Sequence, residues 1–196
     1  MERDFRRVCV YAASSRQTDS RYTDAARELG RLLAGEGIGI VYGGGRVGSM
    51  GALAEGALEA DGKVLGVIPR FMMEVGWGHS GISELRVVDD IHIRKRTMLE
   101  LSDAVVALPG ASGTLEELLE AITWKRLGLY TSPVVMVSVD GFYEPLVRML
   151  EQTVEERFMD PRHLDMWSVA ERVEDVLPAL RQAPPWDPDA LDFAAI

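Results

Sequence analysis

The chain has 196 residues, 47% of them hydrophobic, which suits one globular domain with a sizeable core. Its formal net charge of −10 and its scattered arginines leave no basic patch of the kind a nucleic-acid protein carries, so any anionic ligand is expected to be small. A single cysteine excludes an internal disulfide, and no apolar run is long enough to span a membrane. The charged start (Glu2, Arg3, Asp4, Arg6, Arg7) has no apolar leader behind it, so a cytoplasmic protein without membrane partners is expected.

Residues 7–11 form an apolar run that reads as a first strand, and 12–20 is a small, polar loop. Apolar residues at helical spacing (Ala25, Ala26, Leu29, Leu32, Leu33) predict a helix over 22–33, ended by Gly35 and Gly37. A second strand, 38–42, opens into the loop Gly43-Gly44-Gly45-Arg46-Val47-Gly48, with Ser49 expected to cap a helix reaching about residue 60. Pro69 stops a third strand at 64–68. Residues 71–83 show little period and read as a mobile loop. A short strand at 85–88 precedes a helix over 91–101 with a basic middle, Arg94-Lys95-Arg96.

Next come a strand at 104–108, the loop Pro109-Gly110-Ala111-Ser112-Gly113, and a long helix, 115–127, with Thr114 as its cap. A strand at 134–139, a helix at 142–155, a strand at 166–169 and a helix at 171–180 close a domain spanning 1–183. The proline-rich tail, 184–196, is expected either to fray or to lie across a partner chain.

Strands alternate with helices, and the strand runs are continuously apolar, as when both faces are covered. This predicts an α/β fold: a Rossmann-like, doubly wound parallel sheet with helices on both faces. Ligands of such sheets sit at the C-terminal strand ends, where both glycine-containing loops fall.

Gly43-x-Gly45-x-x-Gly48 formally matches the dinucleotide fingerprint, but the following strand ends Gly66-Val67-Ile68-Pro69-Arg70 without the required acid, so NAD is not expected. The second loop delivers free N–H groups and the positive end of a helix dipole to a strand end, a ready place for an anion. Glu117, three residues after Thr114, has two readings: the acid of a capping box, or a carboxylate meeting a ligand at the helix mouth. The basic cluster is either a solvated helix face or an oxyanion site. Ser14 and Ser15 follow the first strand and suit either a phosphate contact or a turn. Cys9, inside an apolar strand, reads as a core thiol, and His79, His92 and His163 lack ligand spacing, so no metal is expected.

Taken together, Tyr42-Gly43-Gly44-Gly45-x-x-Gly48-x-Met50-Gly51, then Arg94-Lys95, then Pro109-Gly110-x-x-Gly113-Thr114-x-x-Glu117 resemble the LONELY GUY family of cytokinin-activating phosphoribohydrolases, often labelled lysine decarboxylases. The similarity runs from the first strand to about Glu155. It implies hydrolysis of the N-glycosidic bond of a nucleoside 5′-monophosphate, releasing free base and ribose 5-phosphate with no cofactor. It maps Arg94 and Glu117 onto the family's catalytic pair. It maps Gly43, Gly44, Gly45, Gly48, Met50, Lys95, Pro109, Gly110, Ala111, Ser112, Gly113 and Thr114 onto the nucleotide and phosphate contacts, with Ser14 as a further phosphate candidate. It also implies at least a homodimer, for which the apolar end of the long helix (Trp124, Leu127, Leu129, Tyr130) is one candidate surface and core packing the alternative.

Two departures stand out. Ala111 replaces the second glycine of the family's Pro-Gly-Gly-x-Gly-Thr-x-x-Glu motif, which would cost about 1 kcal/mol if that position needs a positive φ. Ala12-Ala13-Ser14-Ser15 replaces a Cys-Gly-Ser-Ser-like run. Pyridoxal chemistry is not expected: of Lys63, Lys95 and Lys125 only Lys95 is placed for a Schiff base, and its neighbours Arg94 and Arg96 are better suited to oxyanions. Readings from other classes are a nucleotide-binding module without catalysis and a nucleosidase acting on AMP or another monophosphate.

Overall fold

A computed structural model describes residues 4–194, so Glu2, Arg3 and the last two residues of the tail lie outside the described residues. Seven strands make one sheet: β1 (Arg7–Tyr11), β2 (Gly39–Tyr42), β3 (Val64–Pro69), β4 (Glu84–Val88), β5 (Ala104–Ala107), β6 (Val134–Val137) and β7 (Ser168–Ala170). Every pairing is parallel, and the order across the sheet is β4-β3-β2-β1-β5-β6-β7. The chain therefore walks outward from β1 in one direction, returns to β5 on its other side, and continues outward. Strand order reverses between β1 and β5.

The inner strands are buried on both faces, and the burial explains their unbroken Val/Ile/Ala runs. β4 is an edge, and its residues are exposed or half-buried. On one face, α1 (Ser20–Gly35), α2 (Gly48–Glu59) and α7 (Val176–Gln182) pack through Leu29, Leu33, Leu53 and Leu180 against Val8, Ile40 and Val106. On the other, α4 (Ile91–Glu100), α5 (Ser112–Arg126) and α6 (Glu144–Glu155) pack through Met98, Leu118 and Leu150 against Val41, Val67 and Met136. Cys9 is fully buried in this second layer, the core thiol expected of it. No helix among the described residues is long and apolar enough to cross a membrane.

Several boundaries differ from expectation. Ser49 does not cap α2: the helix starts at Gly48, and Ser49 turns inward toward the Tyr22 carbonyl, 3.5 Å away. Residues 71–83 are not a plain loop, because Arg70–Glu74 forms α3 and Gly78 bridges back to Gly45. α6 starts at Glu144 with Pro145 in its first turn, where a missing N–H costs nothing.

The tail is neither frayed nor held out for a partner: 184–194 folds back on its own domain. Trp186 and Phe193 are buried in the second layer, the Trp186 indole donates to the Lys125 carbonyl at 2.5 Å, and Leu191–Ala194 forms α8. The Arg162 guanidinium lies 3.7 Å over the Phe193 ring.

Candidate active site

At the reversal point the C-terminal ends of β1, β2, β3 and β5 border a cleft of about 740 Å³. The loop after β1, the glycine loop after β2, the segment from α3 to Trp77, the first residue of α4 and the first turn of α5 wall it. Both glycine-containing loops thus open onto one crevice, at the place general to open parallel sheets.

The floor is made by α5. Its N-cap, Ala111, is extended, with φ −91° and ψ −160°, and no side chain caps the helix. The Ser112–Thr114 turn is helical, so Thr114 lies inside the first turn, buried, and cannot cap it; the capping box with Glu117 is not formed. Thr114 fits because residue 110 has no side chain: a Cβ there would stand 2.2 Å from Thr114 Oγ1. The uncapped first turn borders the cleft at Gly113 and Thr114. The φ of Ala111 is ordinary for an L-residue, so alanine in place of glycine strains nothing.

Glu117 is one turn further along α5. Its carboxylate lies 3.6 Å from Arg94 Nη2, and each of these side chains is only 7% exposed. Arg94 comes from α4 and is held by backbone: Nε donates to the Val67 carbonyl at 3.2 Å and Nη2 to the Gly43 carbonyl at 3.3 Å. Gly43 is the socket for this guanidinium, since a Cβ at that position would stand 1.9 Å from Nη2. Burial raises the Glu117 pKa above the ordinary glutamate value; the Arg94 charge opposes the shift, Glu116 adds to it, Lys95 opposes it and Glu120 adds to it. Cys9 and Tyr11 of β1 lie close enough to feel the Glu117 charge, and burial first, with that charge among the further causes, pushes thiol and phenol up. A buried acid of raised pKa beside a fixed guanidinium, in a cleft, makes this a candidate functional site.

Of the residues expected here, Ser14, Gly43, Gly45, Met50, Arg94, Ala111, Gly113, Thr114 and Glu117 line the cleft. Gly44, Gly48, Pro109, Gly110 and Ser112 are not in its wall; they shape the two loops from behind. Lys95 departs furthest from expectation. It turns away from the cleft, its side chain is 5% exposed, and its ammonium is held by Glu116 and, at 3.1 Å, by Glu120. The reason is its partners: neighbours on α4 point about 100° apart, and the direction Lys95 takes brings it to the carboxylates of Glu116 and Glu120 on α5. Residues missed from sequence include Arg16, Arg46, Met72, Val75, Trp77 and Ile91, and also Glu116 beside Glu117, all in the wall. Arg46, inside the glycine loop, was detectable; Arg16, Met72, Val75 and Trp77 sit in stretches with no periodic signal, and Ile91 opens a helix whose spacing does not say which residue meets the cleft.

A doubly wound parallel sheet whose reversal point holds an uncapped helix N-terminus and a buried Arg–Glu pair defines an α/β protein of the Rossmann-like class. The family model described as possible lysine decarboxylase matches residues 50–180. A cytokinin riboside 5′-monophosphate phosphoribohydrolase of Arabidopsis thaliana is 40% identical over 181 residues, spanning 92% of this chain and 84% of that protein. One from Oryza sativa subsp. japonica is 44% identical over 155 residues, spanning 79% of this chain and 64% of that protein. The chain belongs to this family, in its LONELY GUY branch.

Solved structures agree on the fold. The X-ray structure of TM1055 superposes with a TM-score of 0.69 at 25% identity, covering 90% of this chain and 99% of that one. The molybdenum cofactor carrier protein of Chlamydomonas reinhardtii reaches 0.68 at 22% identity, covering 90% and 96%.

The family description names a decarboxylase, whose usual cofactor, pyridoxal phosphate, needs a Schiff-base lysine. The residues do not fit that group, because the cleft wall contains no lysine. Lys63 precedes β3 at the opposite end of the sheet, Lys95 is clamped by two carboxylates, and Lys125 is buried with its ammonium on the Ser132 carbonyl.

Proposed function

We propose that this chain hydrolyses the N-glycosidic bond of a cytokinin riboside 5′-monophosphate, releasing an adenine-type free base and ribose 5-phosphate. The observation that carries the proposal is the buried Arg94–Glu117 pair, 3.6 Å apart, in the same cleft as the uncapped first turn of α5. Relatives at about 40% identity over most of the chain bear the name of this activity.

The chemistry follows from the geometry. The 5′-phosphate docks on the first turn of α5 at Gly113 and Thr114, where backbone N–H groups and the helix dipole favour an anion. Breaking the bond from C1′ to the base leaves the bonding electrons on the base and positive charge on the ribose, as in glycoside hydrolysis. The Glu117 carboxylate stabilises that charge and takes a proton from the water that adds to C1′; that proton passes on to the departing base, which returns Glu117 to its ionised form. The Nη1 hydrogens of Arg94 make no hydrogen bond among the described residues, so they are available to a ribose or phosphate oxygen. Phosphate binding remote from C1′ helps hold the reacting carbon over the acid. Met50, Ile68, Met72, Val75, Trp77 and Ile91 give the other side of the cleft an apolar lining, suited to an adenine with an apolar substituent.

A homodimer belongs to the same reading. Its support is the apolar surface left on and after α5, where Leu119 and Leu129 are 38% and 67% exposed, although Tyr130 is core. The cytoplasm is the expected setting, because a nucleoside monophosphate is a charged metabolite that does not cross membranes unaided. The test is incubation with AMP and with isopentenyladenosine monophosphate, followed by chromatography for free base. Base released by wild type, and lost in Glu117→Gln and Arg94→Ala with folding intact, supports the enzyme. Tight nucleotide binding with no base from any monophosphate makes the chain a binding module instead.

A further inference from the structure

Beside the Arg94–Glu117 pair runs a second link between the same two helices, and the chemistry above does not use it. Lys95 buries its ammonium between Glu116 and Glu120, which stand four residues apart on one face of α5. Burial works against the Lys95 charge, but the hydrogen bonds to Glu116 and Glu120 outweigh it, and the lysine pKa is raised. Consecutive residues do opposite jobs on both helices. On α4, Arg94 lines the cleft and Lys95 does not; on α5, Glu117 meets Arg94 while Glu116 and Glu120 meet Lys95. The helices are thereby fixed in both rotation and register. The one ammonium thus ties α4 to two successive turns of α5 through charge-assisted hydrogen bonds.

We propose that Lys95 is a positioning residue for the hydrolysis: by clamping Glu116 and Glu120 it sets α5 against α4 so that Glu117 meets Arg94, and it neutralises the two carboxylates that flank Glu117. The proposal rests on the phosphoribohydrolase reading. The charged and titratable groups around Glu117 are Arg94 and Lys95 from α4, Glu116 and Glu120 from α5, and Cys9 and Tyr11 from β1. Removing Lys95 withdraws one positive neighbour and leaves two negative ones uncompensated, and both changes disfavour the ionised Glu117.

The experiment is the pH profile of base release by wild type, Lys95→Met, Lys95→Arg and Glu120→Gln. Lys95→Met is expected to lower kcat about 10- to 100-fold with little change in KM, and to move the acid limb of kcat/KM to higher pH. Lys95→Arg, able to bridge both carboxylates, restores the limb. Glu120→Gln keeps Lys95 on Glu116 and, by removing one negative neighbour, moves the limb to lower pH; it serves if Lys95→Met does not fold. A raised KM with an unmoved limb would make Lys95 a substrate contact and overturn the proposal. So would a fall in kcat and melting temperature with the limb in place, or a Glu120→Gln profile superimposable on wild type. Wild-type turnover tests the phosphoribohydrolase reading by itself. The isotope-labelled carboxyl resonance of Glu117, assigned by its loss in Glu117→Gln, titrates with the same expected shifts whether or not base is released.

Discussion

Gly43→Ala acts first on the seat of Arg94, with the Met50 methyl, 3.2 Å from the new Cβ, as the lesser contact. The new Cβ would stand 1.9 Å from Arg94 Nη2 and 3.0 Å from Cζ. Non-bonded heavy atoms settle near 3.5 Å, so the guanidinium must retreat by roughly 1.5 Å. What moves is the tip of a flexible side chain, and Gly43 has no positive φ that alanine would strain, so the fold should survive with a small loss of stability. The retreating tip gives up the Gly43 carbonyl at 3.3 Å and its alignment with Glu117. A displacement of about 1 Å in a positioning group is worth on the order of 100-fold in rate, close to 2.7 kcal/mol of barrier. The expected result is a folded protein whose kcat for base release falls about 100-fold, with thermal unfolding near that of wild type. A Gly43→Ala enzyme releasing base at the wild-type rate would refute the argument that this glycine exists to admit Arg94.

The remaining predictions address charge, packing and backbone. Burial raises the Glu117 pKa in the fold, so its protonation favours the folded state; that contribution is complete below the ordinary glutamate pKa and is lost as pH rises through the raised value. Glu117→Gln should therefore keep or gain melting temperature at neutral pH while kcat falls about 10²- to 10⁴-fold; a clear drop in melting temperature would show that the Arg94 pairing outweighs burial. For the same reason kcat/KM should decline on the acid side with an apparent pKa above that of ordinary glutamate, read from a pH–rate profile. Trp186→Ala, which empties a buried indole site and removes its bond to the Lys125 carbonyl, should cost about 3–5 kcal/mol in urea denaturation. Ala111→Gly should leave turnover near wild type and lower stability by about 0.4–1 kcal/mol, since the backbone there needs no glycine.

Much of the fold was legible because the strands are apolar on both faces and the helices carry one buried stripe, so the period changes at nearly every boundary. What was not legible depends on contacts distant in sequence. Nothing local to Ser49 or Thr114 reveals that the helix begins before it and that the hydroxyl is turned inward. The tail reads as proline-rich and loose until Trp186 and Phe193 are seen filling the layer beside His163 and Arg162. In the site, the structure brings Arg94 and Glu117, the pair the family resemblance implies, into one cleft. The place of Lys95 was not legible: on sequence it is one more basic residue beside Arg94, and only helix rotation sends it to Glu116 and Glu120. The 71–83 segment contributes Met72, Val75 and Trp77 through one short helix and one bridge to Gly45, neither of which has a repeating pattern to detect.

The site also shows why net charge says little about a small ligand. The chain carries −10, yet the proposed substrate is a dianion at its phosphate. Charges further from the cleft than about 8–10 Å are largely screened at physiological salt, so most of the acidic surface does not reach the ligand. What does reach it is local: Arg16, Arg46 and Arg94 in the wall against Glu116 and Glu117, with the positive end of α5 added. Of the two acids, Glu116 is already paired with Lys95 and Glu117 already faces Arg94. The local balance seen by a phosphate is therefore favourable although the molecule as a whole is strongly acidic. The overall charge then acts on solubility and on the rejection of large polyanions, while selection of the nucleotide is left to a handful of side chains whose positions the two helices set.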